Sequence, residues 1–311
     1  MRRILPEGRI LKTIENQNII SSEKNLKEAF ENEVFIEGIA TRCDKEHNLH
    51  VNLGAIDGII PRDEGALGIA EGSVRDIAII SRVNKPVLCK ITGFDNIDGK
   101  TVAILSRKAV QEEHRNNFIL QLIPGDIIDA TVTHFESFGV FADIGAGISA
   151  LLPIDSISVS RIPHPCARFK INQNIKAVVK SVDETGRITL THKELLGTWD
   201  ENAANFNIGE TVSGIIRSVE SFGVFVELAP NLAGLAEITT DADVGNTASV
   251  YIKNIMPDKM KIKLIIVDSQ PPQPTKNTEL KYYIDFNTCN HIDRWLYSPD
   301  CCDKIIESNF F

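Results

Sequence analysis

Ile128, Ala130 and Val132 alternate with Asp129, Thr131 and Thr133. That period of two marks a strand with one buried face and one wet face. A second strand follows at 140–144, and Gly145-Ala146-Gly147 makes a turn. Residues 175–182 and 187–190 continue as two more strands, joined through Asp183-Glu184-Thr185-Gly186. This run of short strands within 124–196 predicts a small closed five-stranded barrel of the OB type. The insert at 156–168 carries Pro163 and Pro165 and is expected to cap one barrel end. Helical periodicity is confined to the flanks. Ser22 is a candidate N-cap, Glu23 suits the first turn, and Leu26, Ala29 and Phe30 form an apolar i, i+3, i+4 face. A connecting helix over 109–123 should end before Pro124, because the residue before a proline is pushed out of the α region.

The strand pattern repeats. Glu136-Ser137-Phe138-Gly139-Val140-Phe141 recurs letter for letter as Glu220-Ser221-Phe222-Gly223-Val224-Phe225, with Leu151 and Ile154 returning as Leu235 and Ile238. A repeat at this spacing means tandem domains. A third, diverged copy lies upstream, with strand-like runs at 34–40, 49–53, 74–81, 87–91 and 101–105. There Asn52-Leu53-Gly54 parallels Asp143-Ile144-Gly145, and His47 and His50 stand where the other copies have phenylalanines. The predicted organisation is a lead-in (1–33), a diverged barrel (34–108), a helical linker (109–123), the most complete barrel (124–196), a further barrel (209–268), a Pro-rich linker (269–281) and an aromatic, Cys-containing tail (282–311). The fold class is all-β: three tandem five-stranded barrels, short helices in the lead-in and linkers, and a small β tail.

Composition narrows the function. The 311 residues carry a formal net charge of −9, a poor match to duplex DNA, whose binding is dominated by phosphate neutralisation. Single strands are less excluded, since aromatic faces stack on bases without sequence demand. Seven basic residues face eight acidic ones over 125–196, against five and eight over 209–268. The second copy is therefore expected to be the better electrostatic host. No apolar run reaches the length of a membrane span, the first residues have no hydrophobic signal region, and three of the six cysteines are scattered singly through strands. A cytoplasmic, reduced setting is expected.

The pattern Glu-Ser-Phe-Gly-Val-Phe … Leu-Leu-Pro … Asp-Glu-Thr-Gly-Arg-Ile-Thr-Leu resembles the S1 RNA-binding domain, an OB-fold module found in tandem in a large ribosomal protein and in many RNA-handling proteins. The resemblance implies RNA contacts on one barrel face, from two aromatics, a histidine twelve residues on, and an Asp and Arg in the last hairpin. In the second copy these fall on Phe138, Phe141, Pro153, Asp183 and Arg187, with His134 and Lys180 as neighbours. In the third they fall on Phe222, Phe225, Glu237, Met256 and Lys261, with Arg217 and Lys253 as added cations. The first copy keeps His47, His50 and Lys100 as a weaker set. The implied grading is a principal site on the second barrel, an auxiliary one on the third, and a docking role for the first.

The implied function is non-enzymatic binding of single-stranded, mRNA-like RNA in translation or RNA metabolism, with slight sequence preference. The alternative is a protein adaptor that docks on a ribosomal or RNA-processing partner through the first barrel and the tail. No cofactor, small-molecule substrate or membrane is expected. No phosphate-binding Gly-rich loop, zinc-protease helix or nucleophile elbow is present. In the tail, Cys289, His291, Cys301 and Cys302 offer metal donors, but Cys289-x-His291 is too tight and Cys301-Cys302 too adjacent for a common zinc site. A packed aromatic hairpin or a partner-docking element is the better expectation.

Overall fold

The computed structural model describes residues 4–184, 186–238, 242–272 and 280–311. By their contacts they fall into two compact units, 1–122 with 143–149, and 123–142 with 150–311. Among the described residues no helix is long and apolar enough to cross a membrane. The Pro-rich linker lies largely outside the described residues.

The first unit opens with α1 (Ile14–Ile20) and α2 (Glu23–Glu31), the latter capped by the Ser22 side chain, which accepts from the Asn25 N–H. Leu26 and Ala29 of α2 are buried against a barrel of β1 (Phe35–Cys43), β2 (Leu49–Asn52), β3 (Asp57–Ile60), β4 (Pro86–Ile97) and β5 (Lys100–Ser106). The strands close in the order β1-β2-β3-β5-β4. The strand expected at 74–81 is absent: that stretch holds α3 (Ile77–Ile80), whose Ile79 is buried while Ile77 is exposed. Its alternation was insufficient because a four-residue helix turns one apolar side inward just as a strand does. The linker forms α4 (Lys108–Asn117) and a 3₁₀ turn before Pro124.

Charge pins the lead-in. Glu7 is buried between Arg107 (2.6 Å) and Arg82 (2.9 Å). Burial works against its ionisation, but the two guanidiniums outweigh it and hold the carboxyl below its ordinary range. Glu37 on β1 accepts the N–H groups of Gly8 and Ile10, and burial still pushes its carboxyl up to about 7.

The second unit holds the other two barrels. One comprises β6 (Ile127–Glu136), β7 (Gly139–Asp143), β8 (Ser149–Pro153), β9 (Asn174–Val182) and β10 (Ile188–Thr191). After α5 (Trp199–Ala203), the other comprises β11 (Thr211–Glu220), β12 (Gly223–Ala229), β13 (Leu232–Ala236), β14 (Thr247–Met256) and β15 (Lys261–Gln270). Both close with the connectivity of the first. The architecture is thus all-β, three barrels of one topology, followed by the small hairpin β16 (Arg294–Leu296) and β17 (Glu307–Asn309).

The 156–168 insert packs on its own barrel through Ser156 and Ile157 and also reaches the next one. The Val159 N–H donates to Asn231 Oδ1 (2.9 Å), and the Ser160 N–H donates to the Pro230 carbonyl (3.3 Å). Arg168 meets Glu227 of β12 through both terminal nitrogens (2.8 and 2.9 Å). The insert therefore fastens the second barrel to the third. The tail completes the joint. The Tyr282 hydroxyl accepts the Lys176 N–H, the Ser308 hydroxyl donates to Glu194, and Asp126 forms a β-bridge with His291. On the other side Trp295 and Tyr297 are buried in the core of the third barrel.

Candidate nucleic-acid interface

The site is organised by one backbone necessity. A Cβ at Gly139 would lie 2.5 Å from the Leu152 carbonyl oxygen, and one at Gly223 would lie 2.6 Å from that of Ala236. The next strand's backbone passes so close that only glycine fits. With the strand bent in at that point, the flanking rings stay outside. Phe138 and Phe141 stand edge to face at 6.2 Å and 89°, and Phe222 and Phe225 at 6.0 Å and 87°. Phe138 is 53% and Phe222 66% exposed, and the inner ring of each pair is half-buried. Large aromatics exposed in pairs, in one position of two barrels, are a departure from core packing.

Strand register extends the face across the third barrel. Ser218, Phe225, Leu235, Lys263 and Asn254 are successive cross-strand partners on β11, β12, β13, β15 and β14. In the second barrel, Leu151, Thr189 and Ser181 form the matching part of that row. A β-bulge recurs in all three last hairpins and leaves Thr92, Lys180 and Lys253 as the extra residues. Lys180 and Lys253 are thus equivalent and both exposed, with Lys180 Nζ 3.2 Å from Ser156 Oγ. In the second hairpin the Asp183 N–H donates to the Arg187 carbonyl, and Asp183 Oδ1 accepts the Arg187 N–H at 2.8 Å. This carboxylate shapes the turn. Met256 pairs with Lys261 at the matching place in the third barrel.

His134 stands beside Phe141, near parallel to it (6.5 Å, 23°), and its Nε2 meets Glu136 at 2.9 Å. It therefore joins the second barrel's aromatic face. Arg217 does not join the third. It is the bulged residue of β11, and its guanidinium is buried on Glu227 through Nε (2.9 Å) and Nη2 (3.0 Å). The expectation that Arg217 offers a cation to this face is corrected: a bulge re-aims its side chain toward the joint with the second barrel, where Glu227 awaits it.

The first barrel differs in kind. His50 pairs across β1–β2 with Arg42, as Phe225 does with Ser218. His50 Nε2 is 3.3 Å from Asp44, and His47 Nδ1 is 3.6 Å from Asp76, which also binds Arg62 at 2.8 Å. Carboxylates occupy this face. Lys100 sits at the tip of a hairpin that runs two pairs beyond the register equivalent of Arg187, which is Val102. It is roughly 7 Å from the place sequence alignment implied. Sequence reasoning missed Arg42 and Lys263, whose membership of these rows depends on strand pairing.

In the tail, His291 lies between Asp126 (Nδ1, 2.7 Å) and Asp293 (Nε2, 3.2 Å), and Cys289 Sγ donates to the His291 carbonyl. Cys301 is exposed and Cys302 half-buried. Among the described residues no group of three or more His, Cys, Asp or Glu could hold a metal.

Residues 121–193 match the S1 RNA binding domain family. The small ribosomal subunit protein bS1 of Staphylococcus aureus is 29% identical over 79% of this chain and 61% of its own length. That of Leuconostoc lactis is 26% identical over 84% and 61%. The chain thus spans about three-fifths of the length of these relatives. A crystal structure of a multidomain protein with nucleic acid binding domains from Streptococcus pneumoniae aligns with 76% of the chain and 74% of its own, at 13% identity and TM-score 0.25. Residues 121–193 are thus an S1 RNA binding domain, the topology of its barrel recurs on both sides, and the chain is similar to bS1 over most of its length.

Proposed function

We propose that the chain binds single-stranded RNA, without catalysis and with slight sequence preference, as part of translation in the cytoplasm. The observation that carries this reading is the repeated edge-to-face pair, Phe138/Phe141 and Phe222/Phe225, with its outer ring exposed at the same place in the repeated string of two barrels. Every base offers a π-face, so such a platform stacks on bases without selecting among them. The link to translation draws on the relatives, which are ribosomal proteins by name. Because the second and third barrels share one compact unit, two modest sites act at a fixed spacing and gain by effective concentration on one strand. The experiment is binding of an unstructured RNA and its DNA twin by the wild-type chain and by the double variants F138A/F141A and F222A/F225A. Losses in both variants support the reading; unchanged binding by both folded variants ends it.

The adaptor reading keeps one specific support. Asp44 and Asp76 cover the first barrel's histidines, a surface better suited to a basic protein than to phosphate. Retention of partners from a nuclease-treated lysate, lost on replacing Asp44 and Asp76 with Asn, would establish it.

A further inference from the structure

We propose that the third barrel, rather than the second, makes the stronger backbone contact with the bound strand, and that Lys263 supplies it from within the aromatic row. The inference rests on the RNA-binding reading above. Lys263 is the β15 member of the Phe225–Leu235–Lys263 row, so its side chain emerges on the same face as Phe225, two strands away. Two strand spacings are about 10 Å, within reach of a lysine stem and one phosphate attached to a stacked nucleotide. Lys261, Lys263, Ile265 and Val267 alternate outward along β15 while Ile262 and Leu264 point in. Lys261 therefore shares the face. Lys253 is exposed beside them at the bulge of β14. No ion pair occupies Lys253, Lys261 or Lys263 among the described residues.

The second barrel is weaker at each matching place. Its row carries Thr189 where the third has Lys263. Its bulge lysine, Lys180, is engaged with Ser156, and its Arg187 shares a turn with Asp183 and Glu184. His134 lies alongside Phe141, whereas the cross-strand partner of Phe225 is the small Ser218. Among the third barrel's acids, Glu227 is buried on Arg168 and Arg217, Glu220 ends β11, Glu237 follows β13, and Asp258 lies in the turn between Lys253 and Lys261. Four lysines, Lys253, Lys259, Lys261 and Lys263, against Asp258 give the last hairpin a local positive excess that directs phosphates along it while bases stack on Phe222 and Phe225. Total charge per repeat, which favours the second barrel, hides this because seven of the third repeat's eight acids lie outside 253–263.

The test measures binding of the full chain to oligouridine over a series of salt concentrations. One single-strand phosphate contact contributes about 0.7 to the slope of log K against log salt. K263Q is expected to lower that slope by about 0.7, K263R to retain it, and T189K to raise it. K261Q/K263Q should weaken binding more than K180Q/R187Q. Both lysines are exposed, so folding is checked simply by an unchanged unfolding midpoint. An unchanged slope in K263Q, alongside weakened binding in F222A/F225A, overturns the lysine assignment and leaves RNA binding standing. A larger loss in K180Q/R187Q reverses the ranking. If neither aromatic variant weakens binding, RNA binding itself falls, and this proposal with it.

Discussion

Arg168 and Glu227 form a two-bond ion pair across the joint between the second and third barrels, with side chains only 7% and 4% exposed. Arg217 approaches the same carboxylate from within the third barrel. One buried acid thus serves two buried guanidiniums. Removing the acid leaves both without a counter-charge, and breaking such a pair from one side costs about 3–5 kcal/mol. Glu227→Ala is expected to lower the unfolding free energy of the second unit by that order in urea titration. A loss below about 1 kcal/mol would mean that water reaches the joint.

The aromatic pairs carry the binding prediction. Replacing Phe138 and Phe141 by Ala, or Phe222 and Phe225, removes one to two stacks at roughly 1–3 kcal/mol each. Fluorescence titration with labelled oligouridine should show both losses, the third-barrel variant losing at least as much as the second.

Gly139→Ala and Gly223→Ala should destabilise, because the added methyl meets a main-chain oxygen rather than a movable side chain. A cost of roughly 1–3 kcal/mol is expected for forcing atoms into filled space. Urea midpoints with an unchanged m-value would report it. Binding should fall as well, since the bend that presents the rings is lost.

Acid should act on the two units in opposite directions. His192 is buried with Nδ1 donating to the Ile157 carbonyl, and burial pushes its pKa down to about 4. The unfolded chain takes up that proton near 6.5, so stability of the second unit is lost as pH falls from about 6.5 to 4, by about 2 kcal/mol at pH 5. Glu37 has the raised value of about 7. There the folded form holds the proton longer, so its contribution is full below about 4.5 and is lost as pH rises to about 7. Hydrogen exchange at pH 5 and pH 7 separates the units. His192→Gln should flatten the response of the second unit alone.

Deleting 280–311 should destabilise the second and third barrels together, because Trp295 and Tyr297 belong to the third barrel's core while Phe310 packs on Val178 and Leu195 of the second. Scanning calorimetry should show the second unit melting earlier and the first unmoved. The tail's sequence predicts a packed aromatic hairpin or a partner-docking element. Trp295, Tyr297 and Phe310 are buried in the way the first expectation requires, Tyr282, Tyr283 and Phe286 are half-buried, and Phe311 is 93% exposed.

What the sequence by itself determined was local or repeated. Alternation at 128–133 specified a half-buried strand, Ser22 with Leu26, Ala29 and Phe30 specified a capped helix, and the duplicated Phe-Gly-Val-Phe string marked two equivalent exposed pairs. These are legible because each depends on neighbours within a few residues, or on a second copy to compare. Tertiary structure decided the rest. Arg217 and Lys263 are both strand cations in the sequence of one repeat, yet a bulge turns the first into a buried joint. Register places the other in the aromatic row. The insert's Arg168 found its partner 59 residues away. Which face a charge occupies is fixed by strand pairing and by what lies across it, and neither is written in the residues on either side.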